Sequence, residues 1–296
     1  MMGCIRKFEY QAPRTLEEAL EILGAHRNKA GVLAGGTDLV VQLKQGVKRP
    51  ACVVDVKKIP ELNVLDWNPE EGLRIGAAVP ISRILTFPVV RERYSILAQA
   101  CSGMGSTQLR NRATLGGNVC NAAPSADSAP ALLCLGAGAT LASGKGSRVI
   151  SLEEFFLSPG ETVRLDTELL VEIRIPTPEA FSAGSYLKHA TRERMDIAVA
   201  GVASFLTFST PDRELKSIRI ALGAVATRPV RATRAEDVLT KTSFGRQAVE
   251  AAAEQAADEA EPISDVRGSL EYRREIVRVL TRRSLSKACE SLGINI

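Results

Sequence analysis

Aromatic residues make up only 4% of this 296-residue chain, and it contains just two histidines, His26 and His189. So few rings leave little for the stacking platforms that hold single-stranded nucleic acid. The histidines lie far apart without metal-ligand spacing, so a histidine-based zinc site or a serine–histidine triad has little support. Six cysteines (Cys4, Cys52, Cys101, Cys120, Cys134, Cys289) are scattered and form no C-x-x-C pair. That pattern excludes a disulfide framework or cluster motif and predicts mostly buried thiols. No apolar run reaches membrane-spanning length, and the opening MMGCIRKFEYQ has no hydrophobic stretch of signal-peptide length, which predicts a cytoplasmic protein. A Walker phosphate loop is also missing. The nearest approach to a G-x-G-x-x-G fingerprint, Gly136-Ala137-Gly138-Ala139-Thr140, has Leu141 in sixth place and follows a helix-like run instead of a strand.

What is present is ordinary globular material, 45% hydrophobic and 24% charged, and the length makes two domains the natural reading. The net charge is +4, with much of the basic excess in the last thirty residues: Arg267, Arg273, Arg274, Arg278, Arg282, Arg283 and Lys287. These alternate with Ile276, Val277, Val279, Leu280 and Leu285 as on an amphipathic helix, which favours a solvated face or a subunit contact over a nucleic-acid surface.

Two glycine pairs organise the rest. In ATLGGNVCNAAPSADSAPALLCLGA (113–137), a turn at Leu115-Gly116-Gly117-Asn118 leads through small and polar residues to Asp127, an N-cap, with Pro130 in the first helical turn. In VLAGGTDLVVQLKQG (32–46), a short strand enters Gly35-Gly36, Thr37 or Asp38 can cap, and the helix from Leu39 can end at Gly46. Glycine removes the side-chain obstacle to a ligand and admits positive φ, so main-chain N–H groups can converge on an anion. Two such units imply two walls for one elongated, phosphate-bearing ligand.

Along the chain, Thr15 and Glu18 form a capping box for a helix with Leu16, Ala19, Leu20 and Leu23 on one face. The strands VLAGG and ACVVDV complete a small α/β unit over about residues 1–57. The hairpin NVLDWN/GLRIGAAV, a helical region from about Ile81 to Cys101, and the strands ATLASG, SRVISLEEFF and TELLVEIRIP follow. Pro176 and Pro178 punctuate a linker. Beyond it, strands in GSYLKHATRERMDIAVAGVASFLTF and LKSIRIALGAVA precede two helices, RQAVEAAAEQAADEA and LEYRREIVRVLTRRSLSKACESL. Strands followed by a helical bundle predict an α+β C-terminal domain.

The pair LAGGTDL and TLGGNVCNAAPSAD resembles the two flavin-binding motifs of the FAD-binding medium subunit of molybdenum hydroxylases, the carbon monoxide dehydrogenase and xanthine dehydrogenase family. ALGAVATRPVRATRAEDVL and EPISDVRGSLEYRREIVRVLTRRSL are similar to its C-terminal domain. The resemblance implies an α+β fold: a two-subdomain FAD-binding (PCMH-type) domain over 1–177, with subdomains of about 1–57 and 58–177, then a C-terminal domain over 178–296 with a small antiparallel sheet and a helical bundle. It places Leu33, Ala34, Gly35, Gly36, Thr37, Asp38 and Leu39 around the diphosphate and the ring-proximal part of FAD. Thr114, Gly116, Gly117, Asn118 and Cys120 form the second motif, Leu109 and Ala113 lie on its approach, and Asp127 holds the acidic position associated with the ribose region. Leu169 and Leu170 match apolar positions near the adenine end, and Lys188 matches a basic residue that reaches the cofactor.

FAD is expected to be non-covalent, since neither histidine lies in a glycine motif. The resemblance further implies a large molybdopterin-binding subunit, a small subunit with [2Fe-2S] clusters, and transfer of electrons through FAD to an external acceptor: NAD, a quinone, a carrier protein or oxygen. No residue of this chain is expected to act as a general acid or base on the organic substrate. A stand-alone flavin-dependent oxidoreductase and a flavin-free interaction subunit are the alternatives. The chain lacks the cysteine-rich insertion of the hydroxybenzoyl-CoA reductase branch.

Overall fold

The computed structural model describes residues 5–192, 195–209 and 214–296; Cys4 lies outside them. The chain begins with β1 (Glu9–Gln11), α1 (Leu16–His26), β2 (Ala30–Leu33), α2 (Leu39–Gln45) and β3 (Cys52–Asp55). The strands form a parallel sheet in the order β1-β3-β2, and parallel neighbours need the crossovers that the two helices supply. Helix α1 starts as its sequence predicts, with Thr15 Oγ1 accepting the Glu18 N–H at 3.2 Å. In return the Glu18 carboxylate accepts the N–H of Arg14, one residue before the cap, at 2.9 Å. Gly46, in the left-handed region at φ 71°, ends α2.

Next come β4 (Leu65–Asn68), β5 (Gly72–Gly76), α3 (Ile81–Thr86), α4 (Pro88–Arg93), α5 (Ser95–Ser102), α6 (Thr107–Arg110), α7 (Leu115–Asn121) and α8 (Ser128–Cys134). They are followed by β6 (Gly138–Ser143), β7 (Gly146–Ser151), α9 (Leu152–Phe155), β8 (Phe156–Ser158), β9 (Glu161–Thr162) and β10 (Leu169–Ile175). Strands β4, β5, β10, β6 and β7 make an antiparallel sheet in that order. The helical region from Ile81 is three short helices; at the first break Pro88 forces Phe87 into extended backbone, and the second falls at Tyr94. The strand read into SRVISLEEFF stops at Ser151, whose hydroxyl accepts the Glu153 N–H at 3.2 Å and opens a helical turn instead. Gly136, at φ 67°, turns the chain from α8 into β6, so the GAGAT segment runs from helix to strand, the reverse of a dinucleotide fingerprint.

The third group holds β11 (Ser182–His189), β12 (Ala200–Phe208), β13 (Leu215–Gly223), β14 (Val230–Arg231), α10 (Thr233–Lys241), α11 (Arg246–Glu259) and α12 (Leu270–Ser291). Its strands form an antiparallel sheet in sequence order. Helix α11 packs on α10 and α12 and buries Ala252, Ala253 and Ala256, and α12 lies across β11 and β12. Helix α8 docks against β12 and β13, where a side chain on Gly223 would meet Pro130 at 2.8 Å. The protein is therefore α+β, as its sequence predicts. The thiols of Cys52, Cys101, Cys134 and Cys289 are free and buried, while Cys120 is half-buried.

The basic C-terminal segment is only partly a solvated face. Arg273 is 3% exposed, and it donates to the carbonyls of Val199 at 2.8 Å and Ala224 at 3.2 Å and to the Asp265 carboxylate at 2.6 Å. Arg283 is exposed. Replacing a buried arginine strands its partners. Arg273→Met is expected to lower stability by about 3 kcal/mol in urea unfolding, and Arg283→Met to change it by no more than about 0.5 kcal/mol.

Candidate functional site

The two glycine segments meet. A β-carbon on Gly35 would lie 2.2 Å from the carbonyl oxygen of Arg112 and 2.8 Å from the Cα of Ala113, so backbone packs directly on backbone there. Gly36 continues the turn at φ 76°. Ala34 approaches the second segment at Gly117, 3.9 Å from where a β-carbon would stand. The Gln42 amide on α2 then donates to Asn121 Oδ1 on α7 at 3.1 Å, joining residues 79 apart in sequence.

Leu115 to Asn121 is a helix, where the glycine pair predicts a turn. Each glycine inside a helix costs about 1 kcal/mol relative to alanine; a side-chain cap offsets part of that cost, and packing makes one of the two glycines necessary. Thr114 Oγ1 accepts the Gly117 N–H at 3.0 Å, capping the helix. Gly116 is required by packing, because a β-carbon there would lie 2.6 Å from the Cα of Ala77. Ala77 in turn donates its N–H to the Val171 carbonyl of β10 at 2.8 Å. Leu169 and Leu170, one layer beneath, are 3% and 2% exposed and belong to the main core. Ala113 is buried, its carbonyl accepting from the Ile81 N–H at 2.9 Å, while Leu109 is exposed on α6. Leu33, Thr37, Leu39 and Cys120 are half-buried around the two segments.

Neither acidic residue caps its helix with its side chain. Asp38 holds the N-cap position of α2 without a capping bond; packing of neighbouring atoms raises its pKa and the Lys48 charge opposes that rise. Asp127 precedes α8 in helical backbone, and its carboxylate is engaged elsewhere. One oxygen accepts from the Tyr186 hydroxyl and the other from Lys188 Nζ, each at 2.8 Å. Burial raises the Asp127 pKa, and Lys188 and Tyr186 act against it. The Tyr186 phenol is driven well above its usual value by burial and by the neighbouring Asp127 charge. Asn118 Oδ1 accepts from the Ser128 hydroxyl at 2.6 Å, tying α7 to the start of α8. Tyr186 is the residue the sequence reading missed. Its signal is its place two residues before Lys188 on a strand, which puts both side chains on one face. Gly201, opposite Lys188 in register, leaves room for that ring, since a β-carbon there would stand 2.8 Å from the Tyr186 hydroxyl.

The comparisons with known proteins agree along the whole chain. Residues 6–178 match the family described as the FAD binding domain in molybdopterin dehydrogenase, and residues 185–288 match the CO dehydrogenase flavoprotein C-terminal domain. Fold and matches together define a flavoprotein subunit of an oxidoreductase. The chain is 32% identical to the carbon monoxide dehydrogenase medium chain of Hydrogenophaga pseudoflava, over 95% of this chain and 97% of that one. It is 30% identical to the xanthine dehydrogenase FAD-binding subunit of Escherichia coli O157:H7, over 96% and 97% respectively. Among solved structures, the Hydrogenophaga pseudoflava carbon monoxide dehydrogenase that lacks the Mo-pyranopterin moiety superposes with a TM-score of 0.92 at 31% identity, covering 98% of this chain and 99% of that one. Quinoline 2-oxidoreductase from Pseudomonas putida 86 superposes with a TM-score of 0.90 at 30% identity, with the same coverage. The chain belongs to the family of FAD-binding subunits of molybdenum hydroxylases.

The residues present fit such a group. The two joined segments offer main chain and small side chains, and the Lys188–Asp127 pair lies beside α8. Asp127 also gives a pH prediction. A carboxyl held above its unfolded value, 3.8, contributes stability that is complete below that pH and is lost as pH rises through the folded pKa. Removing either partner raises it further. The stability deficits of Tyr186→Phe and Lys188→Met are therefore expected to be larger in urea unfolding at neutral pH than in mild acid, and larger for Lys188→Met. A deficit that does not change with pH would show that Asp127 is not the group affected.

Proposed function

We propose that this chain is the electron-transfer subunit of a molybdenum hydroxylase, holding FAD non-covalently along its two joined glycine segments. The observation that carries the reading is the backbone contact of Gly35 with Arg112 and Ala113, which joins the motifs into one wall. Residues 1–177 would form the flavin domain, with lobes of about 1–57 and 58–177, and 178–296 the C-terminal domain. In this reading the stretch from Leu33 to Leu39, with Thr114, Gly116, Gly117, Asn118 and Cys120, lies along the dinucleotide, approached through Leu109 and Ala113. Leu169 and Leu170 support its adenine end from below.

Bound FAD supplies the coupling of one-electron arrival to two-electron departure. The chain's own residues bind, orient and set charge. Glycines let main-chain donors approach the diphosphate. Lys188 keeps a positive charge beside the cofactor and Asp127 fixes that ammonium in place, while Tyr186 holds the carboxylate. With Asp127 and Lys188 engaged with each other, substrate acid–base chemistry falls to the large molybdopterin-binding partner. A small [2Fe-2S] partner delivers electrons and an external acceptor removes them; the medium-chain name of the carbon monoxide dehydrogenase relative supports such an assembly.

The purified chain is expected to be yellow and to release about one FAD per chain on acid treatment. Gly35→Ala, forced off a backbone contact of 2.2 Å, is expected to lose most of that FAD, along with about 1–3 kcal/mol of stability. A wild-type chain that stays colourless after folding with excess FAD would contradict the proposal.

A further inference from the structure

Away from the flavin segments, three elements bring three kinds of metal-ligating side chain to one point. Glu9 stands on β1, His26 is the last residue of α1 and Cys52 opens β3. A carboxylate oxygen, an imidazole nitrogen and the thiol sulfur of these residues all lie within 4.8 Å of one another. The placement follows from the topology. Glu9 and Cys52 are register partners on adjacent parallel strands, so their side chains leave the same face of the sheet. Helix α1 packs against β3, and its final turn brings the His26 ring to the same spot. His26 Nε2 is 3.9 Å from Glu9 Oε2, while the other Glu9 oxygen accepts from the Gln11 amide at 2.5 Å. Among the described residues, no hydrogen bond engages the His26 ring or the Cys52 thiol.

We propose that Glu9, His26 and Cys52 form a binding site for a zinc-class divalent cation, with water completing the coordination on the solvent side. A thiolate with an imidazole and one carboxylate selects zinc-like ions over magnesium or calcium, which prefer all-oxygen shells. Metal–nitrogen bonds of about 2.0–2.1 Å and metal–sulfur bonds of about 2.3 Å require the donor atoms to draw together by up to about an ångström. The mobile partner is available: the Glu9 side chain is 56% exposed and that of His26 27%, so the ion enters between them while Cys52 stays fixed in the core. Binding displaces the thiol proton to solvent, and the metal–sulfur bond takes its place. Burial and the Glu9 charge push the pKa of the Cys52 thiol up. The bound ion would clasp β1, α1 and β3, the unit that carries the first glycine segment.

The test uses the untagged full-length chain, stripped with chelator and titrated with Zn²⁺ by calorimetry, with the zinc-edge X-ray absorption of the loaded protein recorded alongside. One equivalent is expected to bind, with a single sulfur neighbour at about 2.3 Å and lighter nitrogen or oxygen neighbours. Cys52→Ala and His26→Ala are each expected to weaken binding at least about tenfold, since even outer-shell partners of a metal ligand are worth that much. FAD content should be unchanged in both. Should Cys52→Ala fail to fold, His26→Ala, at the half-exposed end of α1, reads the same site. No binding, a loaded protein without a sulfur neighbour, or equal affinity in His26→Ala would overturn the proposal.

Discussion

Direct packing of main chain on main chain is the constraint on which this architecture depends. Gly35 has no room for a β-carbon because the Arg112 carbonyl and the Ala113 Cα occupy that space, and Gly116 has none because Ala77 does. Ala77 is itself bonded to Val171 of β10. A continuous series of backbone contacts thus runs from the small parallel sheet, through α7, into the antiparallel sheet. Interiors pack at crystal-like density, so even one added methyl group at such a junction displaces a whole element. In the proposed function the same main-chain junction forms the wall along the dinucleotide.

The second organising feature is electrostatic. The four-stranded sheet docks on α8 and brings Tyr186 and Lys188 from one face of β11 to the two oxygens of Asp127. Other buried carboxylates are paired as well: Glu172 with Arg74 and Arg174, Glu168 with Arg148, and Glu236 with Arg231. Removing one member of such a pair leaves a desolvated charge, so the pairs specify which surfaces meet. Arg273 does the same for the start of α12, and that is why one arginine of the basic C-terminal segment is internal while the others are half-buried or exposed.

Much of this was legible in the sequence. The Thr15 cap, the left-handed Gly46, the hairpin before Gly72 and the two long C-terminal helices follow from local rules that act within a few residues. The resemblance carried by LAGGTDL and TLGGNVCNAAPSAD identified the family before any geometry was known. What the sequence hid depends on distant partners. Gly116 is a glycine inside a helix because Ala77, far away in sequence, leaves no space for a side chain, whereas a glycine pair in isolation signals a turn. Asp127 looks like a capping residue, but β11 supplies two stronger donors for its carboxylate. Helix α10 escaped notice because few apolar residues mark its buried face, chiefly Ala235 and Leu239.

In the proposed function, residues 33–39 and 113–121 act as one ligand wall. Amide hydrogen exchange of the chain with and without bound FAD measures this directly. Both segments are expected to gain protection together as FAD binds, with much smaller changes in α11 and α12. Protection confined to one segment, or appearing in neither while FAD is bound, would contradict it.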